Sequence, residues 1–441
     1  MNNSYWQQRQ RKKKKKDKKK ISHQQVYYDS KKSSLLITGK VNSFTALRFI
    51  AAVNIFRKSH NRDVIVDFRQ IERAFLNGML PIIATIEDLR KEGFEVTVLM
   101  PENSHLKNVF DENNWSYFLE PGQFKDSQSI YNPHLVTRRF KDSAGQKDTV
   151  DQFIKMVIGT IKISDDIIRG LEWTVNEITD NVLNHSEADE GIFQAVVYPN
   201  NKYIDFGVVD RGIGIYNSLK PTFGHLNNDL QAISEAIKVG VTRDKNIGQG
   251  NGLAGTLRIA SMCNGTFEVL SGMGRVFVSQ DDKPDRQFNK KTKEFKGTFV
   301  AGMIDASTEF SIEKALMFGT SKGHVPSSVI DTLYEAENDD MLVIKMNEET
   351  GGFGSRKSGA YLRTKVINLM NSKPTYPIEI NWTGIPLISS SFADEFMGKM
   401  FLELGMITFA AKVRNVGMEE LIMKLLDKAA AQRLTQEKDE E

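Results

Sequence analysis

Apolar and polar positions along the chain sort into three patterned blocks separated by polar stretches. In the first block, residues 34–120, DVIVDF (Asp63–Phe68) reads as a buried strand, NGMLPIIATIEDLRKEG as a helix and FEVTVLMP as a second strand. About seven residues of loop are expected between Asp67 and the helix. The second block, 151–305, contains GLEWTVNEITDNVLNHS (Gly170–Ser186), a helix with two stripes. Leu171, Val175, Ile178 and Val182 recur at helical spacing and form a core face, while Glu177, Asn181 and Asn184 form a polar line beside it. The third block, 341–430, again reads strand, helix, strand, helix: MLVIKM, SGAYLRTKVINLM, IEINWTG, SFADEFMGKMFLELG. Residues 121–150 and 306–340 lack sustained periodicity and read as linker and connector. The first and third blocks superpose from Asp67 and Asn381, which suggests a duplicated domain flanking a different one. The pattern predicts an α/β protein of three domains.

Charge changes this picture at one end. The chain has 441 residues and a formal net charge of +3. Between Arg9 and Lys20, however, RQRKKKKKDKKK holds ten basic residues and one acid, which leaves −6 on everything else. Residues 1–33 therefore read as a basic, disordered tail on a mildly acidic body, a candidate tether to nucleic acid or anionic membrane. No apolar run approaches the ~18–20 residues that cross a bilayer, and no apolar segment behind the basic start makes a secretory signal. Cys263 is the single cysteine and is expected in the core; it excludes an internal disulfide and fits a reducing cytoplasm. The seven histidines show no pair at metal-ligand spacing.

The chemistry concentrates in the second block. Glu177 and Asn181 lie on adjacent turns of one helix, where a carboxylate that accepts a proton and an amide that ligates a hard cation can reach one ligand. YIDFGVVDRGIGI (Tyr203–Ile215) is a strand ending in Asp210, followed by Gly212 and Gly214. It offers an acceptor for an exocyclic amine, with backbone unobstructed by Cβ. In IGQGNGLAGTLRIA (Ile247–Ala260), Gly248, Gly250 and Gly252 lead into a helix, whose first N–H groups and dipole suit phosphate. KGTFVAGMI (Lys296–Ile304) places Thr298 before a further strand. Arg243 and Lys245 stand where a lid could close over phosphate, and His185 where it could face one.

Glu-x-x-x-Asn, Asp-x-Gly-x-Gly, Gly-x-Gly-x-Gly-Leu and Gly-Thr, in that order, resemble the four boxes of the GHKL (Bergerat-fold) ATPases, the superfamily of gyrase and the histidine kinases. No P-loop and no dinucleotide fingerprint competes. The resemblance implies a central Bergerat-fold α+β sandwich binding ATP and Mg²⁺. Asn181 would ligate Mg²⁺, Asp210 would accept from the adenine amine with Gly212 and Gly214 beside it, and Gly248, Gly250 and Gly252 would face the phosphates. Leu253 would pack at the base of this lid, Thr298 would complete the adenine end, and Glu177 would deprotonate the attacking nucleophile.

The flanking blocks resemble STAS-like domains, the partners of anti-sigma-factor serine kinases, whose helix reads Glu-x-x-x-Asn-x-x-x-His as Glu177, Asn181 and His185 do. The third block is similar to the STAS-like domain of unknown function often fused to such ATPases. Its register puts Ser390 at the phosphoacceptor position and helix N-cap, with Ser389 and Ser391 beside it. The first block has Leu76, Asn77 and Gly78 there and would bind rather than switch. What this implies is a cytoplasmic Mg-ATP-dependent signalling switch, a serine kinase or ATPase acting on STAS-like domains of its own or of a protein partner. The alternative is an ATP-gated conformational module in a bacterial stress or defence system, hydrolysing ATP without protein phosphorylation. A homodimer is implied by the family.

Overall fold

The structure is a computed structural model and describes residues 25–127, 134–238, 240, 251–279, 285–288, 294–317, 326, 328–336, 340–349 and 352–437. The chain folds as mixed α/β around three sheets. The first has the order β1 (Val26–Asp29), β2 (Ser34–Val41), β3 (Asp63–Ala74), β4 (Glu95–Leu99). β1 is antiparallel to β2, and the others are parallel through crossover helices α1 (Ser43–Phe56) and α2 (Leu76–Lys91). Two sequence expectations are corrected here. VYYD, inside the stretch read as tail, is ordered because it pairs with Ser34–Ile37. The loop expected after Asp67 is strand: β3 stays on β2 as far as Val41↔Ala74 through two register shifts, leaving Phe75 alone before the helix. Residues 1–24, with the Lys-rich run, lie outside the described residues.

After α3 (Ser104–Glu112) and α4 (Trp115–Leu119) comes a seven-stranded sheet, paired antiparallel throughout in the order β10-β9-β8-β11-β7-β6-β5. Its strands and helices are β5 (His134–Phe140), α5 (Ser143–Thr160), α6 (Asp165–His185), β6 (Gly191–Tyr198), β7 (Tyr203–Asp210), α7 (Gly214–Leu219), α8 (Asp229–Ala236), α9 (Gly252–Met262), β8 (Thr266–Gly272), β9 (Gly274–Val278), β10 (Asp285–Phe288) and β11 (Phe295–Asp305). The segment expected as linker, 121–150, thus supplies an edge strand and the first part of α5. Its polarity is explained by pairing. Arg138 bridges Asp148, and Arg139 bridges Glu87 and Glu190.

The central sheet is covered on both faces. On one side α5, α6 and α9 pack their apolar stripes, including Leu171, Val175, Ile178, Val182 and the buried Cys263. On the other side Ile192, Val209, Leu270, Phe299 and Ala301 join the core of the first block. This explains α2, in which every residue from Gly78 to Leu89 is buried. A helix buried all round lies between two layers, and α2 lies between its own sheet and the central one. The contact is close enough that Gly207 of β7 sits under Leu76 and Leu80. Gln194 is matched at both ends in this interface: Trp115 Nε1 donates to Gln194 Oε1 at 2.8 Å, and Gln194 Nε2 donates to Asn113 Oδ1 at 2.8 Å.

The connector contributes α10 (Ile312–Ala315) and α11 (Val329–Tyr334). Buried Glu172 of α6 accepts the first N–H of α11, from Val329, at 2.8 Å. The third block holds β12 (Leu342–Lys345), α12 (Arg356–Ser372), β13 (Ile378–Asn381), α13 (Ser390–Ala393), a π turn at Asp394–Gly398, α14 (Lys399–Leu404), α15 (Met406–Lys412), β14 (Val413–Val416) and α16 (Glu420–Glu437). Its three strands are parallel in chain order, as β2, β3 and β4 are in the first block. The block seats α12 on the helical layer. Buried Asn368 donates to the carbonyls of Ile158 (2.6 Å) and Ile161 (2.7 Å) and accepts from Ile163 N (3.1 Å). Alanine there strands three buried backbone groups, each worth about 1–3 kcal/mol. Asn368→Ala is therefore expected to lose about 3 kcal/mol or more in urea unfolding, and a loss below about 1 kcal/mol would refute this bridge. Among the described residues no helix is long and apolar enough to cross a membrane.

Candidate functional site

The site is strung along α6, between the helical layer and the sheet. Its first element is Asp210, the last residue of β7 and 5% exposed. Oδ1 accepts the backbone N–H groups of Gly212 (2.8 Å) and Thr298 (3.3 Å), so the two strand ends carrying these boxes meet on one carboxylate oxygen. Among the described residues no donor reaches Oδ2, which remains the oxygen available to a ligand. Burial pushes the Asp210 carboxyl up to about 6, against the two backbone donors that lower it.

Glycine is required around this carboxylate. A Cβ on Gly212 would stand 1.9 Å from the Ser186 carbonyl oxygen, and one on Gly297 would stand 2.1 Å from that of Asp210. Gly297 also has φ +91, a conformation side chains rarely adopt. Ser271, at the end of β8, ties the corner together. Its hydroxyl donates to Gly297 O (3.0 Å), accepts from Ile215 N (2.9 Å) and lies 3.3 Å from Thr298 Oγ1. Gly214, at φ +77, faces the same hydroxyl. Ser271 carries no motif signal. Its only mark in the sequence is a hydroxyl just before the glycine that ends the strand TFEVLSG.

The second element lies farther back on α6. Glu177 is half-buried beside the first residue of α9, so close that a Cβ on Gly252 would stand 2.5 Å from Glu177 Oε2. Among the described residues no donor or cation pairs with this carboxylate. Burial, reinforced by the Asp180 charge, pushes it up to about 7. Asn181 follows one turn later, half-buried, and Asn184 is exposed. Leu253 is half-buried and packs on the helical-layer core. Gly248, Gly250, Arg243 and Lys245 lie outside the described residues. His185 is half-buried in the last turn of α6.

One helix joins the two elements. Ser186, whose carbonyl accepts Ile213 N at 2.8 Å, caps α6 nine residues after Glu177. At 1.5 Å per residue the span is about 13 Å, the reach of an extended ligand with a polar head at Asp210 and a tail at Gly252. Thr298, Gly212 and Gly214 are thus brought together with Asp210, and Gly252 with Glu177, while Asn181 lies between.

Ser390 is not part of this assembly. The N-cap of α13 is Ser389, whose hydroxyl accepts Phe392 N at 3.0 Å, and Ser390 is the exposed first helical residue. The N-cap is thus Ser389 rather than Ser390, because the capping oxygen must precede the first helical turn. The hydrogen bonds of Ser389 are with Phe353, Ser391, Phe392 and Ala393, all in the third block. Among the described residues no cluster of three His, Cys, Asp or Glu could hold a metal. No family model and no curated protein matches the chain.

Proposed function

We propose that the chain is a Mg-ATP-binding signalling protein of the GHKL type, its flanking α/β blocks STAS-like, acting as a serine kinase or ATPase switch. The observation that carries the reading is the arrangement along α6. A buried acceptor beside two glycines stands at one end of the helix, and a proton-accepting carboxylate against a helix N-terminus stands about two and a half turns back along it. The residues fit the ligand. Asp210 Oδ2 suits an adenine amine. The first N–H groups of α9 suit phosphate, and glycine at 252 leaves room beside them for the Glu177 carboxylate. Mg²⁺ is usually held by one or two protein oxygens plus phosphates, and Asn181 is the protein ligand in this reading. When bound, the ion neutralises phosphate charge. Glu177, held near pKa 7 without a partner among the described residues, is poised to take a proton from a hydroxyl or from water.

The surroundings of Ser390 favour keeping the second reading, an ATP-gated conformational module. Ser390 is exposed and the hydrogen bonds of its neighbour Ser389 stay within the third block, so in the kinase reading transfer goes to Ser390 of a second copy, in a homodimer, or to a partner's serine. Incubation with γ-labelled ATP, resolved into phosphoprotein and free phosphate, decides between them. The kinase reading expects labelled protein that is lost in Ser390→Ala. Full label in that variant sinks the Ser390 assignment, and free phosphate alone establishes the hydrolase.

A further inference from the structure

Glu87 and Asp88, consecutive acids on α2 of the first block, reach across the interface to both sides of the Asp210 corner. Arg211, immediately after Asp210, has its side chain 8% exposed and its guanidinium bonded to Glu87 at 2.9 Å and Glu190 at 3.1 Å. Arg139 of β5 bridges the same two carboxylates, closing a ring of four charges. On the other flank Lys296 Nζ lies 4.0 Å from Asp88 Oδ1, two residues before Thr298. Arg211, the residue next to the Asp210 donor Gly212, is thus held from a different block, and Asp88 faces the Lys296 side of the corner. There is no slack between the two flanks, since Gly297 is pressed against the Asp210 carbonyl.

We propose that Glu87 is a positioning residue for the Asp210 corner, which makes the first block an effector arm of the ligand site. Seating of α2 fixes Arg211, Arg211 fixes the turn that presents Asp210, and occupancy of the site in turn favours seating of α2. Such coupling is reciprocal, so a partner that grips the first block shifts ligand affinity by the same factor as the ligand shifts partner affinity. The inference rests on the nucleotide reading of the site only for the identity of the ligand.

The test uses the full chain in three forms: wild type, Glu87→Gln and Arg139→Gln. Arg139 shares the charge ring but is not on the Asp210 turn, so its variant measures what loss of the ring does to stability alone. Hydrogen exchange without ligand is read at the Gly212 and Thr298 amides, and Mg-ATP affinity by calorimetry. Glu87→Gln should speed exchange at both amides and weaken Mg-ATP at least tenfold, while saturated turnover stays within about threefold. Arg139→Gln should keep both amides protected and affinity within twofold. If Glu87→Gln does not fold, wild type decides: Mg-ATP should slow exchange across Gly78–Leu89, and no change there overturns the coupling. Unaltered amides in Glu87→Gln, or equal losses in Arg139→Gln, also overturn it. A wild type that ignores Mg-ATP defeats the nucleotide reading instead, and the ligand-free amide comparison then still decides the role of Glu87.

Discussion

A Glu177→Gln chain is expected to bind Mg-ATP as tightly as wild type and to turn it over about 10²–10⁴-fold more slowly, the usual contribution of a positioned base. The carboxylate must be ionised to accept a proton, and burial together with Asp180 holds it near 7. Wild-type turnover should therefore climb with pH through about 7 and level off above it, and the residual rate of the variant should be flat across that range. Stability runs the other way. A carboxyl with a raised folded pKa favours the fold when protonated, and that contribution is lost as pH rises through about 7. Glutamine stays neutral, so at pH 8 the variant should melt no lower than wild type. Loss of turnover accompanied by a lower melting temperature would instead make Glu177 a packing residue.

Asp210→Asn should have its largest effect on binding. The amide oxygen can still accept from Gly212 and Thr298, which preserves the corner, but its NH₂ then faces a ligand amine and the two donors oppose each other. A charge-assisted hydrogen bond is worth about 1.5–3 kcal/mol, so affinity should fall roughly 10- to 150-fold. Because Asp210 titrates near 6 when the site is free, wild-type affinity should be constant above about pH 7 and weaken towards tenfold per unit well below 6. Asparagine should abolish that acid limb. Affinity in Asp210→Asn equal to wild type would remove Asp210 from the pocket.

These residues were legible because backbone chemistry demands them. Gly212, Gly214 and Gly252 stand where a side chain would strike Ser186, Ser271 or Glu177, and such constraints print themselves as glycine at fixed spacing. The core stripe of α6 was legible because 3.6-residue periodicity and burial are the same statement. What escaped depends on partners distant in sequence. β5 read as linker because Arg138 and Arg139 look solvated until Asp148, Glu87 and Glu190 are beside them. The second half of β3, RQIERA, is polar on its open side and is held by the β2 ladder. Ser271 is one polar residue among several in its strand, and only the fold brings it to Gly297 and Ile215. The sandwiching of α2 had a trace in its continuous apolar run, but the layer that covers its second face lies more than a hundred residues downstream.

In the proposed site Asp210 and Glu177 mark the two ends of one bound nucleotide. Calorimetric titration of the full chain with Mg-ATP, beside Asp210→Asn, tests it most directly. Saturable binding at one site per chain is expected in wild type, weakened at least tenfold in the variant. No saturable heat in wild type, or identical affinities in the two chains, would contradict it.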